Sequence, residues 1–160
     1  MGRILEFLIF HRNGTCLCDL DEFTENFSQG ISNKVITGSS NKENEHRYKL
    51  IYGMLFSMKS FVKTLSPSKE KDALRTFTTA DYKLHYIEFA NGLRFIFLTE
   101  PMSDNLGDDL RYIHKAFYTS LISKNIFVSQ EEQIKNAVFL EKVYRHIINL
   151  NKTLANEKNN

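Results

Sequence analysis

The chain has 160 residues, 42% hydrophobic and 25% charged, which suffices for one domain with a real core and hardly for two. The formal net charge is only +2, and no basic block of the kind a nucleic-acid footprint requires is present, so nucleic-acid binding is set aside. No apolar run reaches the roughly 18 residues of a membrane span and no signal-peptide pattern opens the chain, so the reading is a soluble, intracellular protein without direct membrane insertion.

Residues 3–10 (RILEFLIF) are almost continuously apolar, as expected of a strand in the middle of a sheet covered on both faces. Arg12-Asn13-Gly14 is a tight hairpin signal, and residues 15–20 return as a second strand. Cys16 and Cys18 lie two apart on that strand; both should point to one face, too close for a good disulfide, and a reducing compartment fits. Residues 21–44 are polar, without periodicity, and read as a long loop. Glu43 or Asn44 then opens a helix that ends at the Ser66-Pro67 break.

That helix organises the chain. At about 3.6 residues per turn, Tyr48, Ile51, Leu55, Met58, Val62 and Leu65 form one line with Leu50, Met54 and Phe61 beside it. The resulting apolar arc spans roughly 160°, where about 100° covers a core. The remaining surface holds Lys49, Lys59 and Lys63, the aromatics Tyr52 and Phe56 one turn apart, and a row of small residues, Gly53, Ser57, Ser60 and Thr64. Small residues let another backbone approach, and adjacent aromatics give a partner something to bury. The plainer alternative is that Tyr52 and Phe56 pack under a neighbouring loop. Lysines alone would read as a solvated face; it is the aromatics among them that suggest a partner surface. The preferred reading is a helix with two dry sides, one for its own core and one for another subunit.

Residues 74–79, 82–89 and 93–99 follow as three strands, the last two joined by Ala90-Asn91-Gly92 and the last stopped by Pro101. A second helix covers about residues 104–123, with Leu106, Leu110, Ile113, Phe117 and Leu121 as its buried stripe and Asp108 and Asp109 where the helix dipole favours them. Ser129-Gln130-Glu131-Glu132 has capping-box spacing and opens a third helix, whose stripe is Ile134, Val138, Phe139, Val143, Ile147 and Leu150. Residues 151–160 form a polar tail expected to fray. The order β-β-α-β-β-β-α-α gives an α+β fold: a five-stranded, mostly antiparallel sheet with one helix on one face and two on the other, a single domain over residues 1–150.

A catalytic site would need a nucleophile beside a base, a carboxylate pair or a metal-ligand cluster. His11, His46, His85, His114 and His146 are scattered without ligand spacing, and Cys16-x-Cys18 lacks the second pair a zinc site needs. His85, between Leu84 and Tyr86 in mid-strand, reads as a hydrogen-bonded structural histidine rather than a base. No phosphate-cradling GxxxxGK[ST] or GxGxxG loop is present. The expectation is a non-enzyme with no catalytic residues, cofactor or metal; a cryptic site among His46, His85 and Cys18 is the alternative of a different class.

Residues 48–62 (YKLIYGMLFSMKSFV) resemble the first helix of the smallest sybindin-like, longin-fold subunits of the TRAPP (transport protein particle) complex. Residues 10–16 (FHRNGTC) are similar to the first hairpin of that branch, where an acidic residue usually stands in place of His11. Phe77, Thr79, residues 82–86, Glu88, Gly92, Tyr112-Ile113 and Lys124-Asn125 match as well. The likeness covers most of residues 4–126 and is weak beyond Phe127; the 21–44 loop is longer than the family norm, and a tryptophan usual near its start is missing, with Phe23 nearby.

The resemblance implies a longin/sybindin-like fold and a non-catalytic core subunit of a vesicle-tethering assembly in ER-to-Golgi transport. It further implies pairing with a second longin-like subunit and with Bet3-type subunits, a cytoplasmic place at cis-Golgi or ER–Golgi membranes through the complex, and a share in the surface that promotes GDP release from a Rab GTPase. Tyr52, Gly53, Phe56, Ser57, Ser60 and Lys63 are the expected partner-docking residues, with Gly53 admitting the partner and Tyr52 and Phe56 as anchors. Two rivals share the architecture. A longin-domain SNARE needs a heptad run and membrane anchor after the domain, which the sequence beyond Leu150 does not offer. A small clathrin-adaptor subunit binding cargo would not carry the YGMLFS pattern of residues 52–57.

Overall fold

The structure, a computed structural model, describes residues 2–21, 23, 42–68, 73–124 and 133–156. Its elements in chain order are β1 (Ile4–Phe10), β2 (Cys16–Asp21), α1 (Lys42–Leu65), β3 (Thr76–Thr78), β4 (Lys83–Glu88) and β5 (Arg94–Thr99). A helical run then comprises α2 (Gly107–Ile113), a π-helical turn at His114–Tyr118 and α3 (Thr119–Lys124), and α4 (Ala137–Asn156) ends the described chain. The five strands form one sheet in the order β2-β1-β5-β4-β3, with every pairing antiparallel. The expected architecture stands: α+β, with α1 on one face and the other helices on the opposite one.

Both hairpins close as the sequence suggests. Gly14 (φ 93°) and Gly92 (φ 82°) take the left-handed backbone that these turns require, and their N–H groups donate to the His11 and Phe89 carbonyls at 2.9 Å each. One departure concerns the cysteines. In the β1–β2 pairing Ile9 faces Cys18 and Phe10 faces Cys16, so Leu17 is the extra residue of a β-bulge. The bulge breaks the two-residue alternation, and Cys16 and Cys18 fall into opposite core layers instead of sharing a face.

Alternation along β1, β4 and β5 feeds two dry layers. Phe7, Ile9, Phe95 and Phe97 point to α2–α4; Leu8, Phe10, Leu84, Tyr86 and Ile96 point to α1. Phe7 meets Phe97 in a tilted contact at 5.3 Å and Phe95 edge-on at 5.9 Å. On the first side, the π turn adds a residue to the helical repeat, so Tyr118, five residues after Ile113, takes the inward position and Phe117 is left half-buried. α4 starts later and ends later than expected. The capping box at residues 129–132 lies outside the described residues; Asn136 is the cap, its Oδ1 accepting the Phe139 N–H at 2.9 Å. Val138 is exposed, while Leu140, Tyr144 and Leu154 join the buried stripe. The helix continues to Asn156 because Leu154 is buried and because Asn151 pairs with the start of β1, accepting the Ile4 N–H at 2.8 Å and donating to its carbonyl at 3.2 Å.

His85 is a buried structural group. Its Nδ1 accepts the Leu106 N–H at 3.3 Å, and Nε2 faces Ser103 Oγ at 2.9 Å and Thr99 Oγ1 at 3.1 Å. Burial, with Lys83 nearby, lowers its pKa to about 4. Between its ordinary value of about 6.5 and about 4, the unfolded chain binds a proton that the folded one refuses, so stability is full above that window and falls as pH drops through it. Burial also lowers the pKa of His114 and His146, which add to the loss, while Glu6, pushed up by burial, works the other way. Denaturant titrations between pH 7.5 and 4.5 are expected to show a loss smaller in His85→Gln than in wild type by on the order of 2 kcal/mol; parallel curves would show that His85 is not the group responsible.

Candidate functional site: the outer flanks of the long helix

In sequence α1 follows β2, at one edge of the sheet, and precedes β3, at the other, so it must cross one whole face. Three of the strands offer it a polar fixing point. Arg47 clamps Glu6 of β1 through two bonds of 2.7 and 2.6 Å, the bidentate geometry that makes guanidinium–carboxylate pairs strong. Burial pushes the Glu6 carboxyl up, and the Arg47 hydrogen bonds oppose it. Tyr48 donates to Asp19 of β2 at 2.5 Å. Further along, Lys59 pairs with Glu88 of β4, which also accepts from Tyr86 at 3.1 Å. Burial alone would raise the Glu88 pKa, but the Lys59 hydrogen bond and charge outweigh it and the carboxyl titrates below its ordinary range.

Between these fixing points the helix buries a narrower strip than its composition suggests. Leu55 alone is fully buried; Tyr48, Ile51, Tyr52, Met54, Met58 and Val62 pack half-buried around it. Leu50 (61% exposed), Phe61 (57%) and Leu65 (66%), expected in the inward arc, lie outside instead. A helix lying on a single sheet surface has neighbours only beneath it, so an arc of roughly 160° exceeds what that surface covers.

Of the expected docking residues, Tyr52 is the one most engaged with its own domain. It packs half-buried against the first hairpin: its hydroxyl donates to the Arg12 carbonyl at 2.6 Å and its ring sits 6.2 Å from Phe10. The Arg94 guanidinium lies 4.5 Å from the same ring, a cation–π contact worth about 0.5–2 kcal/mol. The Arg94 side chain is only 8% exposed and lies 3.7 Å from Glu88; its Nε and Nη1 have no hydrogen-bond partner among the described residues, and the Tyr52 ring covers the guanidinium. The spacing of Tyr52 and Phe56 could not separate their roles; the hairpin reaching over one of them did.

The other five behave differently. Phe56 is 59% exposed, and Gly53, Ser57, Ser60 and Lys63 are exposed. Ser60 Oγ returns to the Phe56 carbonyl at 3.1 Å, which satisfies the hydroxyl locally and keeps the side chain close to the helix. A Cβ built on Gly53 would meet nothing within 4 Å, so the domain itself gives no packing reason for glycine there. Lys49 and Lys63 form no ion pair among the described residues.

The helix thus shows two flanks of different chemistry: Phe56 among lysines on one, and the uncharged ridge of Leu50, Met54, Phe61 and Leu65 on the other. Sequence reasoning missed that ridge as a surface feature; the signal was the excess width of the apolar arc. Elsewhere the chemistry is sparse. Both cysteines are buried and free, with Cys16 donating to the Cys18 carbonyl at 3.3 Å, and burial pushes both thiols above their ordinary range. Among the described residues no group of three His, Cys, Asp or Glu side chains could hold a metal ion, and no helix is long and apolar enough to cross a membrane.

Comparison with known proteins agrees with the geometry. The sybindin-like family matches residues 4–150. Trafficking protein particle complex subunit 1 of Homo sapiens is 32% identical over 142 residues, covering 89% of this chain and 90% of its own. The protein of the same name from Dictyostelium discoideum is 29% identical over 88% of this chain and 91% of its own. Trafficking protein particle complex subunit BET5 of Saccharomyces cerevisiae is 32% identical over 77% and 74%. With a match of that extent laid over the sheet and helices described above, the chain belongs to the sybindin-like family.

Proposed function

We propose that this chain is a non-catalytic core subunit of a trafficking protein particle complex, and that the outer surface of α1 docks a neighbouring subunit. The observation that carries the reading is Phe56, a large aromatic held 59% exposed one turn after a glycine that no described residue crowds. Exposed aromatics beside small residues are what an interface hot spot needs: area to bury and room for a backbone to approach. Relatives that align over most of their length are named as subunits of such a complex.

Within that assembly the proposed neighbours are a second longin-like subunit and Bet3-type subunits, and the complex acts in ER-to-Golgi transport from the cytoplasmic side of cis-Golgi membranes. Its proposed output is GDP release from a Rab GTPase. Such an output requires no nucleophile in this chain; it requires a rigid composite surface that binds the nucleotide-free GTPase better than the loaded one, which shifts the population toward release. A sheet pinned to α1 at three of its strands and at the first hairpin turn would supply that rigidity.

Phe56→Glu is expected to abolish co-purification with the longin-like neighbour while the isolated subunit unfolds at the wild-type temperature; a variant that fails to fold would return Phe56 to the core. Gly53→Ala removes the entropic cost of an exposed helix glycine and should stabilise the isolated subunit by about 0.5–1 kcal/mol. In a docked complex the same methyl should weaken association. Equal affinity with Gly53→Ala and Gly53→Leu would show that no partner approaches at that turn.

A further inference from the structure

We propose that the flank of α1 carrying Lys49, Phe56 and Lys63 receives a partner protein surface rimmed by acidic side chains, with an apolar socket at its centre for the Phe56 ring. The inference rests on the docking reading above and gives the partner its chemistry. On this flank Lys59 is paired with Glu88, a carboxylate it shares with Arg94 at 3.7 Å, so its ammonium is already held by the domain. Lys49 and Lys63 are exposed and form no ion pair among the described residues, and Lys42 extends the same side toward the helix start, with Glu45 as the acidic residue among them. Arg12, whose carbonyl is held by Tyr52, adds an exposed cation from the adjacent hairpin.

Any surface that covers Phe56 must bring these ammonium groups out of bulk water, and a buried charge without a counter-charge is costly. Carboxylates at the rim remove that cost and steer encounter. The opposite flank makes no such demand, because between Arg47, held by Glu6, and Leu65 its ridge bears no formal charge. The two flanks therefore select different occupants, and only the Phe56 flank selects by charge. Anionic lipid could also satisfy lysines, but the bare backbone at Gly53, open above the helix among the described residues, lets a polypeptide backbone come close beside Phe56, whereas a fluid bilayer gains nothing from it.

The test co-expresses this chain with each other subunit of its own trafficking complex and measures the affinity of the complex that forms by calorimetry at low and high sodium chloride. Lys49→Glu combined with Lys63→Glu should weaken that association by roughly 30-fold or more, flatten its salt dependence, and be rescued in part by Glu→Lys or Asp→Lys changes on the partner. The paired glutamine variant, which removes charge without reversing it, should fall between. Both should unfold at the wild-type temperature, since neither lysine forms an ion pair among the described residues. Salt-independent affinity unchanged by these variants, with association lost instead in Leu50→Ser with Phe61→Ser, would overturn the proposal and seat the partner on the uncharged ridge. Intact assembly with lost binding to phosphatidylserine vesicles would overturn it in favour of lipid. Failure of every subunit to associate with the wild-type chain would overturn the docking reading itself.

Discussion

The structure depends on α1 being fixed across one entire face of the sheet. Chain order requires the crossing, since the strands on either side of α1 in sequence are opposite edges of the sheet. Apolar burial alone would leave the rotation of the helix loosely defined, because only Leu55 is fully enclosed. The polar contacts remove that freedom. Arg47–Glu6, Tyr48–Asp19, Tyr52–Arg12 and Lys59–Glu88 are directional, and each engages a different strand or turn, so together they define how the helix lies and which residues it turns outward. Each on its own is a modest contribution; their joint effect is specification of geometry.

That geometry produces the surface. Because Tyr52 is drawn under the hairpin and covered by Arg94, Phe56 is the aromatic of that flank left facing solvent. Because the sheet can cover only part of the apolar arc, Leu50, Phe61 and Leu65 emerge on the far flank. Both flanks are consequences of the same rotation, and a domain with two chemically different sides on one rigid rod is well suited to sitting between two neighbours.

The opposite layer serves support. The π turn at His114–Tyr118 resets the register of the helical run so that Tyr118 packs inward against Phe95 and Phe139, and His114 stacks on Phe89 at 3.7 Å. His85 joins this layer to the sheet through Leu106 and Ser103. Its depressed pKa follows from burial, and its role is that of a neutral hydrogen-bonding fixture.

By itself the sequence determined the elements, both hairpin turns, the distribution of helices over the two faces and the family, because those follow from local periodicity, from glycines that turns require and from a long specific helix motif. It also marked α1 as carrying more apolar surface than a core needs. What only the tertiary structure decided was the rotation of that helix. Tyr52 and Phe56 are equivalent in spacing, and nothing local says that the first hairpin reaches over one and not the other. Likewise the bulge at Leu17 parts Cys16 from Cys18, the π turn puts Tyr118 inside where Phe117 was expected, and Asn151 carries α4 past its expected end. Each is a long-range contact or a single-residue slip in register, and neither leaves a trace in a pattern read one window at a time.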